Sequence, residues 1–365
     1  GGPILSYWYE DQWHNSIGPS TNCKLSKAAI QRGGCCHRAT QYCCKKTNLF
    51  IFTSYICNTV YTEAELRALT SLDSESTVSE LATRLDRSVS YTSELVDQLE
   101  SKGLVHTHRP DKTRRISRSD ARAIELLAGF VHRDTHIPWP DLLGGSTLSI
   151  LYFLDTPHSP TALATRAGVH RSTVYRSLSP LEDRGIVYRT DDGYVLNDEF
   201  DELATVAQAF AHHRHRQRIE AHATAYTILW ESLDECLVQT DTDIQNPAFH
   251  RTGPERFSEY GLPLLARQRR YYWYSPSTDA ISPAELCCHM LVIDDGPRSQ
   301  SYCLLLLASH SVDRNELRET ANTYGVIDQI TNLCAYLDSE GTERGSRLPR
   351  WEEFAALAAE YEVPV

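Results

Sequence analysis

Between Arg166 and Arg176 the chain carries Arg166, His170, Arg171, Ser172, Thr173, Tyr175 and Arg176, with no acidic residue among them. Guanidinium groups grip guanine edges or phosphates through two parallel hydrogen bonds, and short hydroxyl side chains reach phosphate oxygens. The types and spacing therefore point to recognition of a polyanion rather than to bond-making chemistry. An earlier stretch has a weaker form of the same character. It holds Arg87, Ser88, Ser90, Tyr91 and Thr92, followed by a basic run with Arg109, Lys112, Arg114 and Arg115.

Other groups could do different chemistry. Asp241 and Asp243 form a D-x-D pair able to hold a divalent ion for phosphoryl transfer. No Gly-Ser loop precedes the pair, and an acidic turn after a helix accounts for it as well. Cys287-Cys288-His289 and Cys303 could assemble a thiol or metal site, but they lie in apolar runs and read better as core. His212 and His215 have a chelating spacing inside His212-His213-Arg214-His215-Arg216-Gln217-Arg218. With no Cys or carboxylate at a matching distance, that run reads as a solvated basic face. The aromatic group Tyr260, Tyr271, Tyr272, Trp273 and Tyr274 fits a ligand pocket, a core or a subunit interface equally. The chain has no Ser/His/Asp motif, phosphate-cradling glycine loop or zincin motif, so neither an enzyme nor a cofactor or metal is expected.

The elements that must position the basic clusters are visible as a repeat. Shifted by 82 positions, Leu81-Ala82-Thr83-Arg84 falls on Leu163-Ala164-Thr165-Arg166. The same register places Ser90 on Ser172, Leu99-Glu100 on Leu181-Glu182, Gly103 on Gly185 and Val105 on Val187. A register kept over two dozen residues indicates one module carried twice. In the second copy Pro160 starts a short helix with Leu163, Ala164 and Ala167 on its apolar side, and Gly168-Val169 breaks it. A second helix runs from Arg171 to Arg184 with Val174, Leu178 and Leu181 as its buried stripe, and Gly185 stops it. A hairpin follows through Ile186–Arg189, the turn Thr190–Gly193 and Tyr194–Leu196. The first copy reads as a helix from Val78 to Leu85, a turn at Asp86-Arg87-Ser88, a helix from Tyr91 to Lys102 and a hairpin over Leu104–Ser117.

Helix, turn, helix and hairpin together resemble the winged helix-turn-helix of transcription regulators of the MarR, ArsR and IclR kinds. The resemblance covers about 140 of 365 residues, and many bacterial and archaeal regulators share the unit. It implies double-stranded DNA as the partner, with each second helix entering the major groove and each hairpin reaching a neighbouring phosphate strand. It also implies a homodimer. Asp191-Asp192 at the tip of the second hairpin would repel phosphate, so there the helix is the stronger DNA candidate.

Charge separates the chain into two parts. Residues 1–59 hold six Lys/Arg against two Asp/Glu, which leaves 30 against 46 in the remainder. Lys102 and Lys112 are the remainder's two lysines. An acidic, lysine-poor body looks like the proteome style of salt-loving archaea and keeps a protein soluble in high salt. Six of the 11 cysteines fall in residues 1–59 as adjacent pairs and singles, without the two-residue gaps of a zinc site. That stretch reads as an extension foreign to the domain or as a tail. No apolar run is long enough to span a bilayer, and no secretory signal opens the sequence, so a cytoplasmic location is expected.

The expected fold class is mixed α+β: two tandem winged helix-turn-helix domains followed by a C-terminal α+β domain. The expected order is an extension (1–59), a first winged helix domain (60–133), a linker or hinge (134–146) and a second winged helix domain (147–199). A long connecting or dimerisation helix (200–235) and a sensing or interaction domain (236–365) complete it. In that last domain Arg270–Tyr274 and Ser301–Leu307 read as strands, and Pro283–Val292 and Val326–Leu337 as helices. Asp313 with Glu316 reads as a capping box, and Pro349 as opening a final helix. A transcription regulator with a small-molecule or protein effector at its C-terminal domain is the expected function. The competing expectation is a toxin–antitoxin or defence component whose C-terminal domain binds a partner protein or is a degenerate nucleotidyltransferase.

Overall fold

The computed structural model describes residues 60–365, apart from 73, 111, 265–268, 277 and 279. The expectations for residues 1–59 lie outside the described residues. The described chain is α+β with small antiparallel sheets.

The repeat appears as two closely matched sets of elements. In the first, α1 (Glu63–Thr70) leads to β1 (Ser76–Thr77), α2 (Val78–Leu85), α3 (Val89–Ser101), β2 (Val105–His108), β3 (Arg115–Arg118) and α4 (Arg122–Arg133). After α5 (Trp139–Leu143) and α6 (Thr147–Leu151), the second set runs α7 (Pro160–Arg166), α8 (Arg171–Glu182), β4 (Val187–Thr190), β5 (Gly193–Leu196) and α9 (Glu202–Glu220). The shared register extends to backbone conformation. Asp86 and Gly168 both sit in the left-handed region between the paired helices, at φ 53° and 62°. Gly103 and Gly185 both end the second helix at φ 66° and 69°. Ser88 caps α3 and His170 caps α8, each lending a side-chain acceptor to an orphan amide of the first turn.

Each hairpin is completed by a third short segment. β1 pairs with β3, and in the second set His158 exchanges backbone hydrogen bonds with Tyr194 of β5 at 2.8 and 3.0 Å. The copies part at the hairpin turn, where residues 109–114 connect the first pair of strands and residues 191–192 the second. Gly193 is required there, because a Cβ at that position would lie 2.1 Å from the His158 carbonyl oxygen.

One apolar core runs through both sets, from Tyr61 and Leu66 through Leu95, Leu99 and Phe130 to Leu178, Leu181 and Phe210. α4 packs on α9 and α1 on α5. Residues 134–146, expected as a linker or hinge, instead carry α5. Its Trp139 is fully buried with its ring 4.8 Å from that of Phe130. An indole buried this way removes a large apolar surface from water, which fixes the segment in place.

The C-terminal part is built on one sheet. Its strands are β6 (Tyr226–Glu231), β7 (Cys236–Thr240), β8 (Phe249–Thr252) and β9 (Arg270–Tyr274), in the order β6-β7-β9-β8 and all antiparallel. Alternation along the strands gives two buried faces. Leu237 and Trp273 face a helical layer of α10 (Pro283–Ile293), α11 (Pro297–Ser309), α12 (Arg314–Tyr324), α13 (Ile327–Asp338) and α14 (Trp351–Glu360). Cys236, Val238, Tyr272 and Tyr274 turn the other way, onto Ile219 in the last turn of α9 and Ala223 just beyond it.

Several expectations are corrected here. The helix expected over 200–235 ends at Glu220, and Tyr226–Glu231 is a strand. Ser301–Leu307 is helical, because Gly296-Pro297 starts α11 and both sides of its apolar run are buried. Asp313 caps α12 by accepting from the amides of Asn315 and Glu316, without the reciprocal bond of a capping box. No helix among the described residues is long and apolar enough to cross a membrane.

Candidate nucleic-acid interface

The N-terminal turn of α8 holds the larger basic cluster. Gly168 lets the chain reverse after α7, and the His170 Nδ1 accepts the Ser172 amide at 3.3 Å, so α8 begins at Arg171. Arg171, Ser172 and Arg176 are exposed, while Thr173 and Tyr175 are half-buried. Arg171 donates through Nε and Nη2 to the Tyr175 hydroxyl at 3.1 and 2.8 Å, one helical turn further on. Tyr175 is held in turn against the ring of Tyr194 in the hairpin, 6.5 Å away and nearly perpendicular. Arg171 is thus aimed by a side chain anchored in the hairpin, which lowers the entropy lost when it grips a target. Arg176 makes no ion pair among the described residues. Arg166, at the end of α7, lies 2.7 Å from the His158 Nε2 and over the Phe153 ring at 5.7 Å. None of these three arginines has an acidic partner among the described residues. They can form bidentate hydrogen bonds to phosphate or to a base edge.

The first module brings its expected residues to matching positions and spends several of them internally. Thr92 is fully buried, and its hydroxyl donates to the Ser88 carbonyl at 3.0 Å, so it offers nothing to a ligand. Ser88 is the α3 cap, accepting from the Tyr91 amide. Arg114 is folded back onto α3, reaching Asp97 at 2.5 Å and Glu100 at 2.8 Å with 14 % of its side chain exposed. Arg115 reaches Glu75 at 3.5 Å. Arg87, Ser90, Tyr91, Arg109 and Lys112 remain exposed. The α3 face carries Glu94, Asp97 and Glu100 where α8 has Arg176, Ser179 and Glu182. The difference is legible in the sequence at the 82-residue offset.

The remaining candidates resolve into structure. The run from His212 is not a solvated face. His213 and Arg214 are 8 % exposed and His215 is fully buried. His213 Nε2 meets the Lys102 carbonyl at 2.8 Å, and His215 Nε2 the Ser232 carbonyl at 2.9 Å. Arg214 donates to the Leu233 carbonyl at 3.0 Å, while His212 pairs with Glu231 at 2.9 Å. These contacts clip α9 to the turn between β6 and β7 on one side and to the end of α3 on the other.

Asp243 is engaged by Arg251, by the Tyr272 hydroxyl at 2.8 Å and by Gln245 at 2.6 Å, and the Arg251 contact helps hold its carboxyl below the ordinary range. It converges with no third carboxylate, and no cluster of metal-ligating groups occurs among the described residues. Cys287, Cys288 and Cys303 are fully buried, and for Cys288 burial is the main force pushing the thiol far above its ordinary range. Tyr272, Trp273 and Tyr274 belong to the two cores flanking the sheet.

Two matches to family models bracket these elements. The HVO_A0261 N-terminal domain model matches residues 148–218, from α6 to within one turn of the end of α9. The HVO_2833 C-terminal model matches residues 246–363, covering β8, β9 and the helical layer. Both names are those of haloarchaeal domains, in keeping with the acidic, lysine-poor composition. No curated protein matches the chain.

Proposed function

We propose that the protein is a sequence-specific DNA-binding transcription regulator of archaeal type. It is built on two winged helix-turn-helix modules of the MarR, ArsR and IclR kind, and the second module reads DNA. The supporting observation is that Arg166, Arg171 and Arg176 are all exposed and have no acidic partner among the described residues, with Arg171 held by Tyr175. In this reading α8 lies in the major groove, Arg171 and Arg176 contact guanine or phosphate, and Arg166 contacts the flanking backbone. Ser172 and Thr173 contribute hydroxyl contacts.

The first module plays a lesser part. The acids of α3 neutralise Arg114, so its DNA contact narrows to Arg109 and Lys112 at the long hairpin tip. The C-terminal part senses an effector or joins two subunits, and α9 connects it to the second module.

The test is binding of the protein to DNA from upstream of its own coding sequence, in molar KCl, beside an Arg171→Ala/Arg176→Ala variant. Selective binding that is lost in the variant supports the reading. Absence of selective binding at every salt concentration overturns it.

A further inference from the structure

A cavity of about 390 Å³ lies in the C-terminal part, lined by residues at the start of α11, in the first turns of α13 and in the segment 345–348. Asp295 ties two of these pieces together. Its Oδ1 accepts from the Gln300 side-chain amide and its Oδ2 from Arg347 Nη1, both at 2.6 Å. Gln300 also donates to the Asp295 carbonyl at 3.3 Å and is 7 % exposed, which holds that side of the cavity in place. Arg347 Nη1 reaches the same carbonyl at 3.2 Å, and the remaining donors, Nε and Nη2, have no acceptor among the described residues.

α13 brings different chemistry to the same cavity. Asp328, Gln329 and Asn332 line it, and their spacings of three and four put them on one helix face. None of the three side chains makes a hydrogen bond or an ion pair with a described residue. The cavity therefore carries an unengaged carboxylate, two unengaged amides and the open donors of a guanidinium whose charge Asp295 balances. The charge left over is the single negative one of Asp328.

Cavities of this size take small metabolites. The Asp328 carboxylate calls for a cation, the open guanidinium donors for a carboxylate, and the amides for an uncharged polar group. We propose that the cavity binds a free α-amino acid with an uncharged polar side chain. Its ammonium meets Asp328, its carboxylate meets Arg347 Nε and Nη2, and its side chain meets Gln329 and Asn332. Such a ligand would be the effector of the C-terminal part, and that role alone rests on the function proposed above.

Calorimetric titration of the full chain with L-glutamine, L-asparagine and L-serine in molar KCl tests the site. Saturable binding of at least one of them is the expected result, weakened about tenfold or more in Asp328→Asn and in Arg347→Gln. Asp328→Asn removes a charge that no described residue contacts, so it should melt with the parent. Should Arg347→Gln melt lower because Asp295 loses its partner, Asp328→Asn decides alone. Binding of none of the three amino acids overturns the proposal, as does binding that Asp328→Asn leaves unchanged. Putrescine binding as tightly as the amino acids overturns the part given to Arg347. The titration contains no DNA, so its failure and a failure of DNA recognition are separate results.

Discussion

Lys102 meets Glu65 at 2.7 Å inside the first module, with the ammonium 10 % and the carboxylate 1 % exposed. Lys102 also donates to the Val60 carbonyl and lies 5.0 Å over the Tyr61 ring, while Glu65 caps α1 by accepting the Thr62 amide. Removing one partner leaves the other buried and charged. Lys102→Met should therefore cost about 3 kcal/mol in urea unfolding, and Glu65→Gln/Lys102→Met together should cost less than the lysine change alone. A double variant no more stable than Lys102→Met would show that the pair is uncoupled.

The two basic clusters should separate by assay. Arg171→Ala and Arg176→Ala should each weaken binding to a selected DNA site by about 1–3 kcal/mol while leaving the melting temperature close to that of the parent. Arg114→Ala should leave DNA affinity nearly unchanged, because Asp97 and Glu100 already occupy its guanidinium. Titrations of labelled duplex at fixed salt read both effects. A strong loss on changing Arg114 would mean that it leaves α3 when DNA arrives.

Acid should destabilise the fold with a definite sign. Burial, aided at His215 by Arg218 and Arg214 and at His289 by Arg256, holds both rings neutral down to about 3. In the unfolded chain each takes up a proton near about 6.5. The unfolded state therefore binds more protons between those values, and stability is full above that window and falls as the pH drops through it. The slope is at most about 1.4 kcal/mol per pH unit for each ring. His212 runs the opposite way. Its hydrogen bond to Glu231 raises its proton affinity, so its contribution is present at low pH and fades as the pH rises through its folded value. Urea midpoints should fall steeply from pH 7 to pH 5, and more steeply in His212→Gln. A flat profile would contradict the assignment of buried neutral rings.

Two glycines of the second module should respond differently to alanine. Gly185 has open space around its Cβ position, so Gly185→Ala carries only the strain of φ 69°, about 1 kcal/mol. Gly193→Ala drives a methyl group into the His158 backbone and should detach the hairpin from that segment. Thermal melts should rank the two variants, and weakened DNA binding should accompany the second. Equal melting of both would show that the His158 segment yields.

The repeat and most of its helix starts were legible because glycines, caps and apolar stripes are local signals, although α3 starts at Val89 instead of Tyr91 and α8 ends at Glu182 instead of Arg184. α2, α7 and α8 begin where the spacing predicts, and the left-handed residues fall at the expected breaks. What the sequence concealed depends on partners far along the chain. Thr92 looks like a surface hydroxyl until its place on the α3 stripe is fixed. Arg114 looks like a free hairpin cation until α3 presents Asp97 and Glu100 to it. The His212–Arg218 run reads as solvated because nothing nearby in sequence shows that carbonyls of Ser232, Leu233 and Lys102 will receive it. Ser301–Leu307 misleads for another reason, since a short apolar run buried on all sides has no periodicity to tell helix from strand. Pro297 was the signal that could have decided it.

The four-stranded sheet has a consequence for how this chain can be cut or shuffled. The C-terminal family match begins at residue 246, after β7, so the matched segment contains β8 and β9 without the strand that pairs with the inner edge of β9. Severed there, the piece would present unsatisfied amides and carbonyls along Arg270–Tyr274, with the Trp273 and Tyr274 rings beside them. The matched segment is thus smaller than the sheet that completes the pairing of β9. Transplanting it intact means carrying the ribbon from Tyr226 to Thr240 as well, or finding a host that supplies an equivalent strand.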